Sequence, residues 1–213
     1  MAKTILLCIY FLLLAANLLA AIKFSASKQN NKYFLFYFIL VIFREAVGFA
    51  LQRSTFNHFL IYHILRPWDF AILCFMYREG MKSLKIKRFF NVLVILFFIF
   101  SYSYSFLFNH YNSSTALASS IQNVLILALV LSFFYETYEK ADEINLKKVP
   151  LFWISIGFLF FSTGTFFSTG FQSYLQSRNL VIAKKIFWLN YVWSYFLYSM
   201  FLIGQLCKMI FRK

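Results

Sequence analysis

Residues 61–77, IYHILRPWDFAILCFMY, form an apolar stretch that nonetheless contains ionisable side chains. His63, Arg66 and Asp69 interrupt a run that otherwise resembles one continuous hydrophobic helix. A transmembrane helix needs about 20 mostly apolar residues, and inserting a charge at its centre costs about 2.5–3.5 kcal/mol on insertion scales. The stretch therefore predicts a membrane helix whose charged residues have a structural or functional role.

The composition of the whole chain agrees with a membrane environment. Of the 213 residues, 62% are hydrophobic and only 13% are charged, whereas soluble domains are about half apolar and about a quarter charged. A soluble protein of this size could not bury 31 phenylalanines in one core, but a bilayer solvates apolar outer faces. We expect an all-α polytopic membrane protein with a single domain over 1–213. A soluble helical bundle is the weaker alternative.

Seven apolar runs are long enough to be spans. The second and third are the weakest because each contains charges. None shows the sustained alternation with a period of two that barrel strands show. The predicted spans are 4–22, 33–52, 57–77, 89–108, 115–135, 150–171 and 186–207.

Basic residues are concentrated in alternate connections, which predicts the orientation. They cluster in 23–32, 78–88 and 136–149 and in the C-terminal tail. We therefore expect an outside N-terminus and a cytoplasmic C-terminus, in a multi-pass protein of the cell inner membrane. The basic connection 172–185 is the exception and predicts a short interfacial helix. The first run also resembles a signal peptide, but its length and the lysines after it favour a retained anchor.

The formal net charge of +14 has two interpretations. On a soluble protein it would suggest nucleic acid, but here the basic residues flank apolar runs, which favours contact with anionic lipid headgroups. We expect membrane lipids and no nucleic acid as partners. The connection 78–88, with five Lys and Arg residues, is a candidate contact for a signalling protein. The sequence leaves oligomerisation open.

Motifs for enzymes and metal sites are mostly absent from the sequence. There is no H-E-x-x-H, no G-x-S-x-G and no Walker A loop. His58 and His63 would lie about 140° apart on a helix, a poor arrangement for one metal ion. Cys8, Cys74 and Cys207 all lie in apolar runs, where we expect small buried hydrophobes. We predict no cofactor, no metal and no catalytic residue.

The third run carries a polar stripe. At 100° per residue, His58, Tyr62, Arg66 and Asp69 fall within an arc about 80° wide, and His63 lies outside it. One side of this helix is therefore polar, and the remainder is apolar.

The second run carries a matching pair of charges, Arg44 and Glu45. The connection to the third run is short, so the two helices should be antiparallel neighbours with their charges at similar depth. This predicts the ion pairs Arg44–Asp69 and Glu45–Arg66, with Gly48 allowing close approach.

Two hypotheses for these six residues (Arg44, Glu45, His58, Tyr62, Arg66 and Asp69) remain open. In the first, they form a buried ion-pair network that docks the second and third helices. In the second, they line a polar pocket in the outer half of the bundle, where Arg66 or a histidine binds a polar or anionic ligand. Ionisable residues within spans are functional candidates in either case.

The last two runs contain further polar residues. The sixth run combines glycines with hydroxyl residues, which favours tight helix packing over a solute path. In the seventh run, Asn190, Ser194 and Tyr198 recur at four-residue steps. We expect these three to be secondary candidates for lining a pocket.

The segment PLFWISIGFLFFSTGTFF…FWLNYVWSYFLYSMFLIG, residues 150–204, resembles the bacterial seven-helix membrane domains that accompany sensor histidine kinases. The resemblance covers the last quarter of the chain and, by helix count alone, the remainder. It implies a signalling role and, since this sequence has no kinase domain, a separate output partner. It transfers no site residue.

We therefore expect a non-enzymatic membrane sensor or accessory signalling subunit with a polar pocket in the outer half. A small transporter or pore is the first alternative, and an intramembrane enzyme acting on lipids is the second.

Overall fold

A computed structural model describes residues 2–24, 31–51, 59–107, 116–139, 145–176 and 180–211. In these ranges the chain is almost entirely helical and contains no β-strand, so the predicted all-α class is confirmed. The seven α-helices are α1 (Ala2–Phe24), α2 (Asn31–Leu51), α3 (Phe59–Gly80), α4 (Leu84–Tyr102), α5 (Ala116–Tyr138), α6 (Pro150–Gln176) and α7 (Leu180–Ile210).

The helices agree with the predicted runs but several extend beyond them. A π-helical turn, Ser103–Leu107, continues α4. The helices α6 and α7 reach Gln176 and Leu180, so most of 172–185 belongs to these two helices, and the separate interfacial helix predicted there is wrong. Backbone hydrogen bonding continues a helix past the end of its apolar run, because polar residues are also good helix formers.

The helices group into two compact units. Unit 1 comprises Met1–Phe24 and Ser119–Lys213, and unit 2 comprises Ser25–Ala118. In unit 1, α6 packs along α7, and α1 also contacts α7. In unit 2, α3 packs against both α2 and α4. The sequence by itself did not indicate this division.

Aromatic side chains form much of each core. In unit 2, the rings of Phe70 and Phe97 lie 4.8 Å apart and both are buried. In unit 1, Phe158 of α6 meets Phe201 of α7 edge-on at 5.4 Å. Such edge-on pairs contribute beyond the area they bury.

Three helices are long and apolar enough to cross a membrane within the described residues: Leu84–Leu107, Leu117–Tyr138 and Pro150–Thr169. Their outer faces carry large exposed hydrophobic side chains, such as Ile95, Leu96 and Ile99 on α4. Contiguous apolar surface of this kind marks contact with lipid or another protein. The chain is therefore an all-helical membrane protein.

The cysteines follow the prediction only in part. Cys74 and Cys207 are buried, as expected, but Cys8 is exposed. The expectation for Cys8 is wrong because hydropathy places a residue in an apolar helix without telling which face it occupies.

Candidate functional site

The charged residues of unit 2 form one cluster between α2 and α3. The Arg44 guanidinium donates through Nη1 to Asp69 Oδ2, so the predicted Arg44–Asp69 pair is present. The Asp69 side chain is only 6% exposed. A buried carboxylate needs such a partner, since an unpaired charge in a low-dielectric interior is costly. This pair therefore joins α2 to α3.

The second predicted pair takes a different form. Glu45 accepts from the same arginine, with Arg44 Nη2 and Glu45 Oε1 3.2 Å apart, and not from Arg66. Neighbouring long side chains on α2 reach each other without crossing to α3. Arg66 lies within electrostatic range of Arg44, Asp69 and Tyr62. The four formal charges of the cluster cancel.

Tyr62 completes the contact between α2 and α3. The Arg44 guanidinium lies 5.8 Å from the centre of the Tyr62 ring, a cation–π distance. A Cβ added at Gly48 would lie 2.6 Å from Tyr62 Oη, so the predicted close approach at Gly48 is confirmed. His58, the remaining member of the predicted stripe, lies outside the described residues.

His63 belongs to a separate contact between α3 and α4. It is fully buried, and its Nδ1 lies 2.7 Å from Ser105 Oγ in the π-helical turn. The Ser105 hydroxyl donates to the carbonyl of Ser101, which leaves His63 Nδ1–H as the donor to Ser105. Tyr102 Oη donates to the carbonyl of Ile64 at 3.2 Å. Sequence analysis missed this contact, although the clustered serines and tyrosines of SYSYS (101–105) were a usable signal.

Two buried polar atoms on or beside α3 have no hydrogen-bond partner within the described part of the chain. They are Asp69 Oδ1, in the charged cluster, and Ser101 Oγ, on α4. Buried polar atoms are normally satisfied by protein, ordered water or a ligand. These two atoms are therefore exceptions to the usual satisfaction of buried polar groups.

The secondary candidates on α7 have partners in different places. Asn190 Oδ1 accepts from Ser168 on α6, and Ser194 donates to the carbonyl of Asn190 at 2.9 Å. Tyr198 instead faces α1, with its hydroxyl 3.5 Å from that of Tyr10. The four-residue step is regular in sequence, but these side chains contact different helices.

A hydrogen-bond network between α1 and α7 was not predicted. Asn17 is fully buried and donates to the carbonyls of Leu13 and Tyr198, at 2.9 and 3.0 Å. Gln205 Nε2 donates to Asn17 Oδ1 at 3.3 Å. A single asparagine in the otherwise apolar first run was the available signal. It was overlooked because the run as a whole resembles a signal peptide.

The hydroxyl residues of α6 serve helix packing, as predicted. Asn123 of α5 donates to Thr165 Oγ1 at 3.0 Å, and the hydroxyls of Ser120 and Thr169 lie 3.4 Å apart. Gly157 and Gly204 allow close contact, since an added Cβ would meet Met200 and the Pro150 carbonyl respectively. Small residues and hydroxyls join membrane helices in this way.

Over the described ranges, no three His, Cys, Asp or Glu side chains group as metal ligands would. No protein-family model matches the chain, and searches of curated proteins and of solved structures give no match. The resemblance to sensor-kinase membrane domains therefore stays a prediction, and proposals about function rest on the geometry of the chain itself.

Proposed function

We propose that this protein is a non-enzymatic integral membrane sensor or accessory signalling subunit, and that its ligand-responsive element is the polar cluster around α3. The observation that carries the proposal is the arrangement of Arg44, which Asp69 and Glu45 share, beside buried polar atoms without partners. Such a cluster has more than one way to distribute its ion pairs.

The depth of the cluster supports this role. Asp69 lies ten residues after Phe59, about 15 Å along the helix at 1.5 Å per residue. Tyr62 is only about 4.5 Å from the same end. Tyr62, Arg66 and Asp69 share one side of α3, so polar side chains extend from near one end of the helix to its middle. A ligand that pairs with Arg66 or Arg44 would alter how α2 docks on α3. If it binds one docking arrangement more tightly than the other, it shifts the population of the protein toward that arrangement.

The proposal includes seven spans, an outside N-terminus and a location in the cell inner membrane. The alternating basic connections support this orientation, and the outer half would then contain His63 and Ser105. A reporter that fluoresces only in the cytoplasm, fused after Lys213, should be active. Activity of a reporter that folds only outside the cytoplasm would contradict the orientation.

The test of the sensor role is a distance measurement across unit 2. Spin labels replace Ile39 on α2 and Trp68 on α3, both of which are exposed, after the exposed Cys8 is changed to serine. Double electron–electron resonance in nanodiscs then reports the distances between labels with and without two fractions of cell extract, one of water-soluble anions and one of lipids.

We expect one fraction to shift the distance distribution in the parent protein, and Arg66→Gln to abolish that shift while the helix content stays the same. Lys32→Gln, on the exposed end of α2, is the matched control and should keep the shift. Unchanged distances with both fractions, together with solute counterflow in liposomes, would overturn the sensor role in favour of a transporter.

A further inference from the structure

The start of α4 combines basic residues with a long apolar face. The segment Leu84–Leu107, which is α4 with its π-helical turn, is apolar enough to cross a membrane. Lys85 and Arg88 lie in its first two turns, and both are exposed. They belong to the basic connection 78–88, which the sensor role proposed above does not involve.

Helical periodicity places both basic residues on the apolar, exposed side of α4. At 100° per residue, Lys85 and Arg88 lie about 60° apart around the helix. Each large hydrophobic residue that follows on this side lies within about 40° of one of them. These residues are 53–60% exposed: Phe89, Val92, Ile95, Leu96 and Ile99. The buried residues of α4 lie on the opposite side, namely Phe90, Phe97 and Ser101.

The two basic side chains have no acidic partner among the residues that the structure describes. Glu79, the acidic residue of 78–88, pairs instead with Lys32 at 3.6 Å, and the first turn of α4 contains no acidic residue. Exposed Lys and Arg residues at the edge of a span attract anionic headgroups, and arginine can donate two parallel hydrogen bonds to a phosphate. Lys85 and Arg88 therefore favour an anion.

The apolar face is long enough for an acyl chain. From Phe89 to Ile99 the helix rises about 15 Å at 1.5 Å per residue, which is half of the hydrocarbon core of about 30 Å. A phospholipid in that leaflet would place its phosphate beside the two cations and its chain along this face. A water-soluble anion would use the basic end alone. The continuity of charge and apolar surface therefore favours a lipid.

Membrane orientation alone does not account for this placement. Orientation depends on how many Lys and Arg residues a connection carries, and not on the side of the helix that they occupy. The same connection also carries basic residues away from this face: Lys82 precedes α4, and Lys87 lies about 100° from Arg88 around the helix. A second copy of the chain is a poor occupant, because a parallel symmetric pair would bring identical cations together.

We propose that the exposed face of α4 binds one anionic phospholipid, with its phosphate at Lys85 and Arg88 and an acyl chain along the apolar residues from Phe89 to Ile99. The negative charge follows from the two exposed cations, and the lipid follows from the apolar face below them. The proposal requires α4 to cross the membrane. It does not rest on the sensor role, because the polar cluster lies between α2 and α3.

The affinity is measured by native mass spectrometry of the full chain in detergent. Phosphatidylglycerol and phosphatidylcholine with identical acyl chains are compared. We expect saturable binding of one phosphatidylglycerol, and Lys85→Gln with Arg88→Gln should weaken it about 25-fold, at about fivefold per basic residue. Phosphatidylcholine binding and helix content should stay the same. Equal affinities of the parent protein for the two lipids would overturn the proposal without any substitution.

The matched control is the double variant Lys82→Gln with Lys87→Gln. It removes the same two charges from the same connection, so the net charge and the number of orienting residues are equal in the two double variants. The control should bind phosphatidylglycerol within about twofold of the parent, because its charges lie off the apolar face. If both double variants weakened binding equally, the attraction would be general surface charge, and the proposed site would be wrong.

The position of the acyl chain is tested by photolabelling in phosphatidylcholine nanodiscs. A small fraction of phosphatidylglycerol carries a diazirine in its acyl chain, and the labelled residues are identified by peptide mass spectrometry. The label should lie on α4 between Phe89 and Ile99 in the parent and in the control, and Lys85→Gln with Arg88→Gln should remove it. Labelling spread evenly over α4, α5 and α6 would show ordinary lipid contact and contradict the proposal.

Other occupants of this face would give different results. Glycerophosphoglycerol, the headgroup without acyl chains, should not compete at the concentration of the lipid. Competition by it or by inorganic phosphate would identify a water-soluble anion. Loss of the label on addition of a membrane-free protein extract would identify a protein, and a dimer without bound lipid in the mass spectrum would identify a second copy. Each of these three results would overturn the proposal.

Discussion

The two units of this protein join their helices by different chemistry. In unit 2, the ion pair between Arg44 and Asp69 connects α2 to α3, in addition to the neutral contacts at Gly48 and between His63 and Ser105. In unit 1, the interhelical ties described above are neutral hydrogen bonds and contacts at glycines. Both arrangements lie in apolar helices, so the comparison separates what charge contributes from what packing contributes.

The difference determines how much free energy each kind of contact contributes. A charge at the centre of a span costs about 2.5–3.5 kcal/mol on insertion scales, whereas an interhelical hydrogen bond between neutral groups contributes about 0.6 kcal/mol on average. We therefore expect substitutions in the ion pair of unit 2 to change stability more than substitutions at the neutral hydrogen bonds of unit 1.

The largest effect should come from removing one member of the buried ion pair. Arg44→Met leaves Asp69 buried without its partner and should lower the free energy of unfolding by about 3–5 kcal/mol. The double variant Arg44→Met with Asp69→Leu should lose less than Arg44→Met alone, because it no longer leaves the Asp69 carboxylate buried without Arg44. Unfolding in detergent mixed with SDS measures both. If the loss in the double variant equalled the sum of the losses in Arg44→Met and Asp69→Leu, the two residues would not act as a pair.

Adding a side chain at a tightly packed glycine should give the next largest loss of stability. In Gly204→Ala the new Cβ would lie 2.8 Å from the Pro150 carbonyl oxygen, a backbone atom that cannot move aside easily. Overpacking of this kind costs about 1–3 kcal/mol. Gly48→Ala is the control, since its Cβ meets the end of the Tyr62 side chain, and it should cost less. The same unfolding measurement applies, and the reverse order would contradict the assigned contacts.

Removal of a neutral interhelical hydrogen bond should have a smaller effect. Asn17→Leu removes two interhelical bonds, to Tyr198 and Gln205, and should cost about 1–2 kcal/mol for the two together. Asn123→Leu removes one bond, to Thr165, and should cost about 0.6 kcal/mol, the mean for such bonds. A larger loss for Asn123 than for Asn17 would show that the α1–α7 network contributes less than its geometry indicates.

The smallest effect should come from an exposed ion pair. Lys32 Nζ and Glu79 Oε1 lie 3.6 Å apart, with side chains 64% and 36% exposed. Lys32→Gln should change the free energy of unfolding by about 0–1 kcal/mol, and added salt should remove even this difference. The loss caused by Arg44→Met should persist in salt. If added salt reduced the losses of Lys32→Gln and Arg44→Met equally, the Arg44–Asp69 pair would have to be exposed to water.

Some features of the site could be predicted and others could not. Matching depth in two antiparallel helices was enough to pair Arg44 with Asp69 and to place Gly48 at a close contact. Depth alone could not decide between Arg44 and Arg66 as the partner of Glu45, because α2 and α3 each carry an arginine at that depth. Nor could it show that Tyr198 turns toward α1 while Asn190 turns toward α6.

The sequence by itself determined that this is an all-helical membrane protein, because apolar runs of span length must satisfy their backbone groups internally, and a helix does so within one segment. It also determined which residues share a face, because the helical period is fixed. Only the tertiary structure decided which face meets which neighbour. The rotation, tilt and choice of partner of each helix depend on contacts between distant residues, such as Asn17 with Tyr198, His63 with Ser105 and Trp193 with Gly164.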